Sequence, residues 1–386
     1  MAAYRAALIY MLKKLFITDF RNINSAEIDL KPGLTLISGD NGQGKTNFLE
    51  ALFMVSQGWS FRSRSHDDVI NWDAKECMLR VQGEIAVISE SEFEQGFLLR
   101  RRRGAEVRVD SQKSTNMGEL HGRYGCVYMG PEDIALVRGA PELRRRWVDV
   151  LMSKSHPDGL DLLRKFRRIL RQRNSWLKTS DQNFYGDEQW FALTDIFVQL
   201  WSQISQRRAQ VLEDCIPLLN EFYAEISGGA EDINLSYING TGLELAELVS
   251  IDLQELQQIL LEKMEKLKAR EQIMGLTMAG AHREDFALNF SHGKDFRYNG
   301  SQGQCRSAGL ALGLTAFEYT QRYFQQNTAL LVDDIFAELD AKRRQSLANL
   351  ITKNVKQVFA ALPRTEDLPF SSDHLLQVQK GEITTL

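Results

Sequence analysis

The chain of 386 residues has a net charge of −4, with 43% hydrophobic and 25% charged residues, which predicts a globular protein of two or three domains. No run approaches the roughly 18 apolar residues of a membrane span, so a bilayer-crossing helix is excluded, and nucleic-acid contacts must come from local basic patches. The chain has four scattered cysteines without a Cys-x-x-Cys pair: Cys77, Cys126, Cys215 and Cys305. This pattern favours buried thiols of a cytoplasmic protein over a zinc site or a disulfide framework.

The N-terminal stretch predicts strands rather than a targeting segment. Residues 1–10 are weakly apolar, with one arginine and an apolar core too short for a signal peptide. Met11 is an alternative start, because a strand pattern begins directly behind it. The pattern predicts strands at Leu12–Phe20 and Ala26–Leu30, joined by the polar turn Arg21–Asn24.

A glycine-rich loop follows, between a predicted strand at Leu34–Ile37 and a helical pattern that begins near Phe48. It reads G-x-x-x-x-G-K-T, the pattern in which backbone N–H groups and a helix N-terminus surround a triphosphate. Lys45 would reach the β- and γ-phosphates, and the Thr46 hydroxyl would bind Mg²⁺. A chance glycine-rich turn is the alternative, which the context on both sides disfavours. The predicted nucleotide-binding residues are Gly39, Asp40, Asn41, Gly42, Gln43, Gly44, Lys45 and Thr46.

Four consecutive arginines accompany a predicted hairpin. Gly58 can end the helix after the loop, and residues 78–89 and 96–109 then read as hairpin strands. Their connection and edge carry Arg100, Arg101, Arg102 and Arg103. Such a run is either a solvated strand or loop, or an edge that contacts a phosphate backbone, and the sequence leaves both open.

A helical arm is predicted in the middle of the chain. Residues 127–139 read as a strand, a loop and a short helix, and amphipathic helices follow at Leu162–Leu177, Leu193–Ile226 and Leu253–Leu267. Pro217 could bend the second of these. We therefore expect domains at 11–145, 146–275 and 276–386, with the arm inserted between two parts of one α/β domain.

The pattern returns to α/β after residue 275. Residues 280–286 lead into a strand, and Ser301 with Gln304 has the spacing of a capping box at the start of a helix. Four apolar residues then end in Asp333 and Asp334, where Asp333 would bind Mg²⁺ and Asp334 would orient or deprotonate the attacking water. The alternatives are a plain helix cap and two solvent-facing acids. A phosphate-binding loop on the same chain favours the functional interpretation.

Together these segments resemble the ABC-type ATPase heads of the SMC and RecF group, and most closely the RecF family. About 255 residues separate Lys45 from Ser301, whereas in transporter ATPase subunits the corresponding serine follows the loop much sooner. That spacing disfavours a transporter subunit. The matching segments lie at 19–22, 39–46, 58–63, 130–146, 172–174, 282–285, 300–304 and 333–340.

The resemblance implies an α/β fold: an ABC-type P-loop ATPase head with mixed sheets and an inserted α-helical arm. It also implies ATP and Mg²⁺ as cofactors, weak DNA-dependent ATPase activity, and an ATP-dependent homodimer. In that dimer the signature segment of one subunit would cap the γ-phosphate held by the other. The implied catalytic residues are Lys45, Asp333, Asp334 and Ser301, and the implied signature contacts come from Ser301, Gln302, Gly303 and Gln304.

The implied task is binding single-stranded, gapped or junction DNA in replication and recombinational repair, with RecR and RecO helping to place RecA on single strands. Arg62 lies where related heads couple DNA to the ATP site, and Arg100 to Arg103 would contact phosphates. Glu132 lies in the stretch that replaces the Q-loop. A second hypothesis is an ATP-gated structural module that docks protein and has no DNA affinity.

Some residues depart from the usual ABC or RecF pattern, although RecF-like proteins resemble this sequence at Gln302. Gln302 replaces the first glycine of the usual ABC signature, and Ala281 stands where proline is common. Ala360 and Ala361 follow a late strand at Gln357–Phe359, where relatives carry a threonine or a histidine. The resemblance therefore leaves γ-phosphate sensing there in doubt, and we expect slow hydrolysis.

Overall fold

The computed structural model describes residues 9–63, 65–86, 91–110, 112–114, 124–179, 188–229, 232–324, 328–336, 339–353, 355–362 and 372–386. The chain divides into two compact units, Met1–Asp133 with Leu312–Leu386, and Ile134–Ala311. The domain borders expected after residues 145 and 275 follow sequence pattern and stay a prediction. No helix in the described ranges is long and apolar enough to cross a membrane.

An antiparallel sheet forms one layer of the first unit, and its strand order is β2-β1-β4-β5-β6-β7. The strands predicted at 12–20 and 26–30 are confirmed, with a turn of only two residues between them. The bounds are β1 Ile9–Phe20, β2 Ile23–Asp29, β4 Glu76–Ala86, β5 Ser91–Arg100, β6 Gly104–Val109 and β7 Gln112–Ser114.

The predicted single strand at 96–109 is wrong. Arg100 pairs with Gly104 across a tight turn, so this stretch forms β5 and β6, and the arginine run closes their hairpin. The reason is local, because Arg102 and Gly104 both adopt positive φ angles, 60° and 83°, which reverse the chain. Residues 87–89 of the other predicted strand lie outside the described residues.

A second sheet is parallel except for one edge strand, and its order is β14-β13-β3-β12-β11-β8. Among the described strands of this sheet, β14 alone runs antiparallel, beside β13. The strand predicted before the glycine-rich loop and the one ending in two aspartates are confirmed as β3 and β11. The bounds are β3 Gly33–Ser38, β8 Gly125–Met129, β11 Thr328–Asp333, β12 Gln357–Leu362, β13 His374–Gln379 and β14 Glu382–Thr385.

Helix α1, Lys45–Gln57, lies between the two sheets and contacts strands of both. Its flanking sheets explain why 11 of its 13 residues are buried, polar ones included. The buried polar groups are paired, as burial requires. Ser56 Oγ donates to the carbonyl of Tyr124 (3.2 Å) and accepts from the N–H of Cys126 (3.1 Å). Helix α10, Ala341–Lys353, also belongs to this unit.

The four cysteines are buried free thiols, as predicted.

The second unit is mainly helical, and the three predicted amphipathic helices are confirmed as α4 (Gly159–Thr179), α5 (Glu188–Ser227) and α7 (Leu253–Met274). Helix α5 continues through Pro217 for 40 residues. The prediction of a helical arm missed a strand, β9 (Ile233–Ile238), which pairs antiparallel with β10 (Asp285–Phe290). Helix α9 begins in this unit, and its residues from Leu312 onward belong to the first unit. The bounds are α2 Ile134–Arg138, α3 Pro141–Ser155, α4 Gly159–Thr179, α5 Glu188–Ser227, β9 Ile233–Ile238, α6 Leu245–Ser250, α7 Leu253–Met274, β10 Asp285–Phe290, α8 Phe296–Asn299 and α9 Gln302–Phe324.

Buried charges hold β10 to the helices of this unit. The Glu284 carboxylate accepts hydrogen bonds from Trp201 Nε1 (2.8 Å), Ser205 Oγ (2.5 Å), Tyr237 Oη (2.6 Å) and Arg208 Nη1 (3.2 Å). Next to it, Asp285 accepts two hydrogen bonds from the guanidinium of the buried Arg144. The segment 282–285, one of the segments that carry the family resemblance, therefore anchors the fold of the second unit.

Candidate functional site

The glycine-rich loop crosses from the end of β3 to the start of α1. Gly39, Gly42 and Gly44 have φ angles of 153°, 80° and 122°, a region that favours glycine. A side chain at Gly39 would also collide with the carbonyl of Val378. Within the described chain no side chain caps α1, whose N-cap is Gly44. The first N–H groups of α1 therefore face the loop, which is the arrangement that binds phosphate.

Lys45 lies folded over the same loop. Its Nζ donates to the carbonyls of Gly39 (2.5 Å) and Asp40 (3.0 Å). Burial lowers the pKa of Lys45, and the negative charges of Asp334, Asp333 and Asp40 oppose that shift. A phosphate in the loop would supply stronger, charged acceptors than these two carbonyls.

Asp333 meets Thr46 where two parallel strands end. Strands β3 and β11 flank β12, so the loop after β3 and the carboxylate at the end of β11 share one sheet edge. Asp333 is 6% exposed, and its Oδ2 accepts a hydrogen bond from the Tyr128 hydroxyl (3.2 Å). Burial raises the pKa of Asp333, and hydrogen bonding to its carboxylate by the neighbouring Thr46 and Tyr128 acts in the opposite direction.

The oxygens of Thr46 and Asp333 suit Mg²⁺, a hard cation that prefers oxygen ligands and retains several waters. Among the described residues, no group of three or more His, Cys, Asp or Glu side chains could hold a metal ion. A cation at this edge would therefore be held by these two oxygens together with water and phosphate oxygens.

Asp334 follows in a left-handed backbone conformation, with a φ angle of 47°. Its N–H donates to the carbonyl of Ala361 (3.0 Å), and its charge reaches Lys45. A non-glycine residue in this region is strained, and such strain concentrates at functional sites. Ala360 and Ala361 are fully buried methyl groups, so they present no polar side chain at this edge.

Tyr128 is a contact that sequence reasoning missed. Its hydroxyl lies 3.2 Å from Asp333 Oδ2 and 3.3 Å from Glu132 Oε2, and its ring stacks on Phe61 with centroids 3.7 Å apart. Desolvation and the Asp333 charge raise the pKa of Tyr128, so its hydroxyl stays protonated and donates. Tyr128 thereby joins the Glu132 stretch and the segment 58–63 to Asp333.

Arg62 lies beside the first turn of α1. Its Nη1 donates to Asn47 Oδ1 (3.0 Å) and lies 3.8 Å from the carboxylate of the fully buried Glu50. Glu50 also accepts from Arg21 (3.0 and 2.7 Å) and from Ser60 Oγ (2.5 Å). The Arg62 side chain is 42% exposed, so it connects solvent to the helix that carries Lys45 and Thr46.

A second missed feature fixes the rim of the loop. The Gln43 carbonyl accepts from Asn22 Nδ2 (2.9 Å) and from the N–H of Gly381 (2.9 Å), and Gln43 Oε1 accepts from the N–H of Lys380 (2.7 Å). These partners lie far apart in the sequence, so no local pattern could have revealed them. They hold the loop's backbone in one conformation.

The predicted capping box at Ser301 is confirmed. Gln304 N–H donates to Ser301 Oγ (3.2 Å), and Ser301 N–H donates to Gln304 Oε1 (2.6 Å). Arg138 Nη2 donates to the carbonyl of Gly300 (2.6 Å) and fixes the residue before the cap. Ser301 and Gln302 are exposed, so the N-terminus of α9 is open to solvent.

The arginine hairpin is partly committed to structure. Arg100 pairs with Glu76 (3.1 Å) and Glu106 (3.4 Å). The Arg101 guanidinium donates to backbone carbonyls of four residues in 67–74. Arg102 and Arg103 are exposed at the turn. Residues 337 and 338 of the predicted stretch 333–340 lie outside the described residues.

The chain is similar to known proteins over nearly its full length. Residues 11–382 match the family model described as RecF/RecN/SMC N terminal domain. The chain is 33% identical to the DNA replication and repair protein RecF of Geobacter metallireducens, covering 97% of this chain and 99% of that protein. It is 29% identical to RecF of Halothermothrix orenii, covering 97% and 98%.

Solved structures agree. The recombination mediator protein RecF with ATP, in the RecFOR pathway, is 26% identical with a TM-score of 0.89, covering 100% of both chains. An Smc head bound to the C-winged helix domain of ScpA is 14% identical with a TM-score of 0.55, covering 97% of each chain, and shows the fold alone. The predicted ABC-type ATPase head fold is therefore confirmed.

Proposed function

The chain belongs to the RecF family of DNA replication and repair proteins, and on that basis we propose that it is an ATP-dependent DNA-binding protein of replication and recombinational repair. One observation carries the proposal: β3 and β11 both pair with β12, so the glycine-rich loop after β3 and Asp333 at the end of β11 lie at one sheet edge. It unites a phosphate cradle and a cation-binding pair at one sheet edge, as nucleotide hydrolysis requires. The RecF structure solved with ATP supports ATP as the nucleotide.

Each side chain at this edge has its own proposed role toward ATP. Lys45 exchanges its carbonyl contacts for the β- and γ-phosphates, and α1 directs its N–H groups and dipole at the same charge. Mg²⁺ held by Thr46 and Asp333 would offset the negative charge of the phosphates. Asp334, held near Lys45, orients or deprotonates the attacking water. Hydrolysis is slow, because Ala360 and Ala361 supply no polar group to the γ-phosphate.

ATP also acts as a bridge between two copies. The exposed Ser301, with the N-terminus of α9, donates to the γ-phosphate held by the loop of a second copy, assisted by Gln302, Gly303 and Gln304. A twofold axis then places two ATP molecules in one interface. Hydrolysis removes the shared phosphate and lets the dimer open.

The partner of the dimer is single-stranded, gapped or junction DNA, contacted through its phosphates. Arg62 couples this contact to α1, and RecR, RecO and RecA act with the protein in the cytoplasm. The name of the RecFOR pathway, to which the similar RecF structure belongs, supports RecO and RecR as partners. The alternative, an ATP-gated module that docks protein, has no DNA affinity.

Sedimentation of wild type and Lys45→Met, with ATP, with ADP and with gapped DNA, tests the proposal. We expect wild type to dimerise with ATP alone and to bind DNA in that state, and Lys45→Met to remain monomeric. Lys75→Met is the matched control, since Lys75 is exposed outside the loop. Dimerisation of Lys45→Met with ATP contradicts the site, and ATP-dependent dimers without DNA affinity favour the alternative.

A further inference from the structure

Helix α4 presents a face of exposed cations that the proposed ATP site does not use. The helix holds seven basic residues and one acidic residue, Asp161, over 21 residues. One of the seven, Arg173, is buried in an ion pair with Glu271 (2.8 Å). The other six are exposed and are called here the α4 basic face: Arg164, Lys165, Arg167, Arg168, Arg171 and Lys178.

The packing of α4 fixes the direction of this face. The opposite side of the helix packs on α3 and α5. Its buried apolar side chains are Leu162, Leu163, Phe166 and Leu177. The cations therefore cannot turn inward without exposing that apolar side. In the described chain, only Arg164 of the six forms an ion pair, with Asp161 (3.1 Å).

Neighbouring helices of the same unit carry less exposed positive charge. Helix α3 has four basic and two acidic residues, and of those four cations only Arg146 is exposed. Helix α7 has four basic and four acidic residues, and α5 has two basic and six acidic residues. Positive charge is therefore concentrated on α4 and is not a general property of the unit. Because Arg164, Arg167, Arg168 and Arg171 repel at spacings of three and four residues, the face opposes helix stability. A polyanion would relieve that repulsion.

The dimensions of the face suit a phosphate backbone. From Arg164 to Lys178 the helix rises about 21 Å, the length of about six phosphates at 3.4 Å along one strand. Arginine's planar fork matches phosphate oxygens in pairs. The exposed residues of this face are charged or polar, with no exposed aromatic or large aliphatic side chain for a lipid surface. The arginine hairpin is the weaker candidate, because Arg100 and Arg101 are already paired.

We propose that the α4 basic face is the main surface on which this chain binds the phosphate backbone of DNA, without reading the base sequence. The proposal rests on the proposed DNA-binding function and adds the location of the contact. Contacts of this kind release counterions, so the logarithm of the binding constant falls steeply with the logarithm of salt concentration. The slope of that line counts the phosphates neutralised.

The test compares two variants with equal loss of charge. Lys165→Gln/Arg168→Gln/Arg171→Gln removes three cations from the face, and Lys263→Gln/Lys266→Gln/Arg270→Gln removes three from α7. Both are measured on duplex and gapped DNA from 50 to 200 mM salt with ATP. We expect the first to lower the salt slope by about three and weaken binding on the order of 100-fold at 0.1 M salt, with ATP-induced dimerisation unchanged. The second should match wild type.

Three outcomes overturn the proposal. Equal binding and slope in wild type and the α4 variant places DNA elsewhere and leaves the proposed function standing. If the wild-type protein does not bind DNA, both the α4 proposal and the proposed DNA-binding function are wrong. If the α4 variant changes the salt slope for binding polyglutamate but not the slope for binding DNA, the α4 basic face binds an acidic protein instead. Glutamine is a good helix former and the substitutions remove repulsion, so circular dichroism melts should show no loss of stability.

Discussion

Ser301 has a structural task and a proposed functional one, and a single substitution separates them. As the N-cap of α9 it accepts the N–H of Gln304. Aspartate caps a helix about as well as serine does, so Ser301→Asp keeps the cap. Alanine removes it, at a cost of about 1 kcal/mol, or roughly 1 °C in the unfolding midpoint of a chain of this length. Stability should therefore rank serine and aspartate together, above alanine.

Dimerisation should follow a different order. A carboxylate about 4 Å from the γ-phosphate of the other copy is repelled by about 4 kcal/mol at an effective dielectric constant of 20. That energy weakens each site roughly 10³-fold, and the twofold axis doubles the energy. Alanine only loses a hydrogen bond to a charged acceptor, about 1.5 to 3 kcal/mol per site. ATP-induced dimers should therefore weaken from serine to alanine to aspartate.

Sedimentation with ATP and thermal melts of the same samples give both orders. The control is Asp252→Ala, which removes the N-cap of α7, where Asp252 accepts from Gln254 (2.8 Å). It should lower stability as much as Ser301→Ala while leaving the dimer intact. The reasoning fails if Ser301→Asp dimerises as tightly as wild type, or if dimer loss merely tracks the unfolding midpoint.

Two further predictions follow from buried groups in the two units. Tyr128→Phe keeps the stack on Phe61 but removes the hydrogen bond to Asp333, so the Mg²⁺ concentration that half-saturates ATP binding should rise about tenfold with no change in fold. Titration of a fluorescent ATP analogue with Mg²⁺ measures this, and an unchanged midpoint would contradict the positioning role. Burial lowers the pKa of His282 to about 4, below its unfolded value of about 6.5. The unfolded state then binds more protons, so the stability contributed by neutral His282 is present above pH 6.5 and is lost as pH falls toward 4, by about 3 kcal/mol. Urea melts at pH 7 and pH 4.5 should show a smaller loss for His282→Gln than for wild type, and equal losses would refute it.

Local patterns predicted the elements that carry the chemistry. The strand, glycine-rich loop and helix at 34–57, the capping box at Ser301 and the strand ending in Asp333 all occur as expected. Each depends on residues within a few positions of one another, because helix caps, tight glycine turns and apolar runs act through neighbouring backbone groups. The long helices of the arm were predictable for the same reason.

Elements that depend on distant partners were not predictable in this way. Strand β9 is short and marginal by itself and exists because β10 pairs with it some 50 residues later. The arginine hairpin was misread because a strand pattern alone does not reveal where the chain reverses. Arg101 looked like a free cation, but its carbonyl partners belong to residues about 30 positions earlier.

The sequence by itself determined which residues could handle phosphate, cation and water, because glycine, lysine, hydroxyl and carboxylate groups have few alternatives for that chemistry. Tertiary structure decided how they are held. Parallel pairing around β12 brings Thr46 to Asp333 across almost 290 positions, Tyr128 reaches the same carboxylate, and the turn at Lys380–Gly381 fixes Gln43. These contacts follow from strand order and packing between distant segments, and strand order is a property of the folded chain rather than of any local stretch.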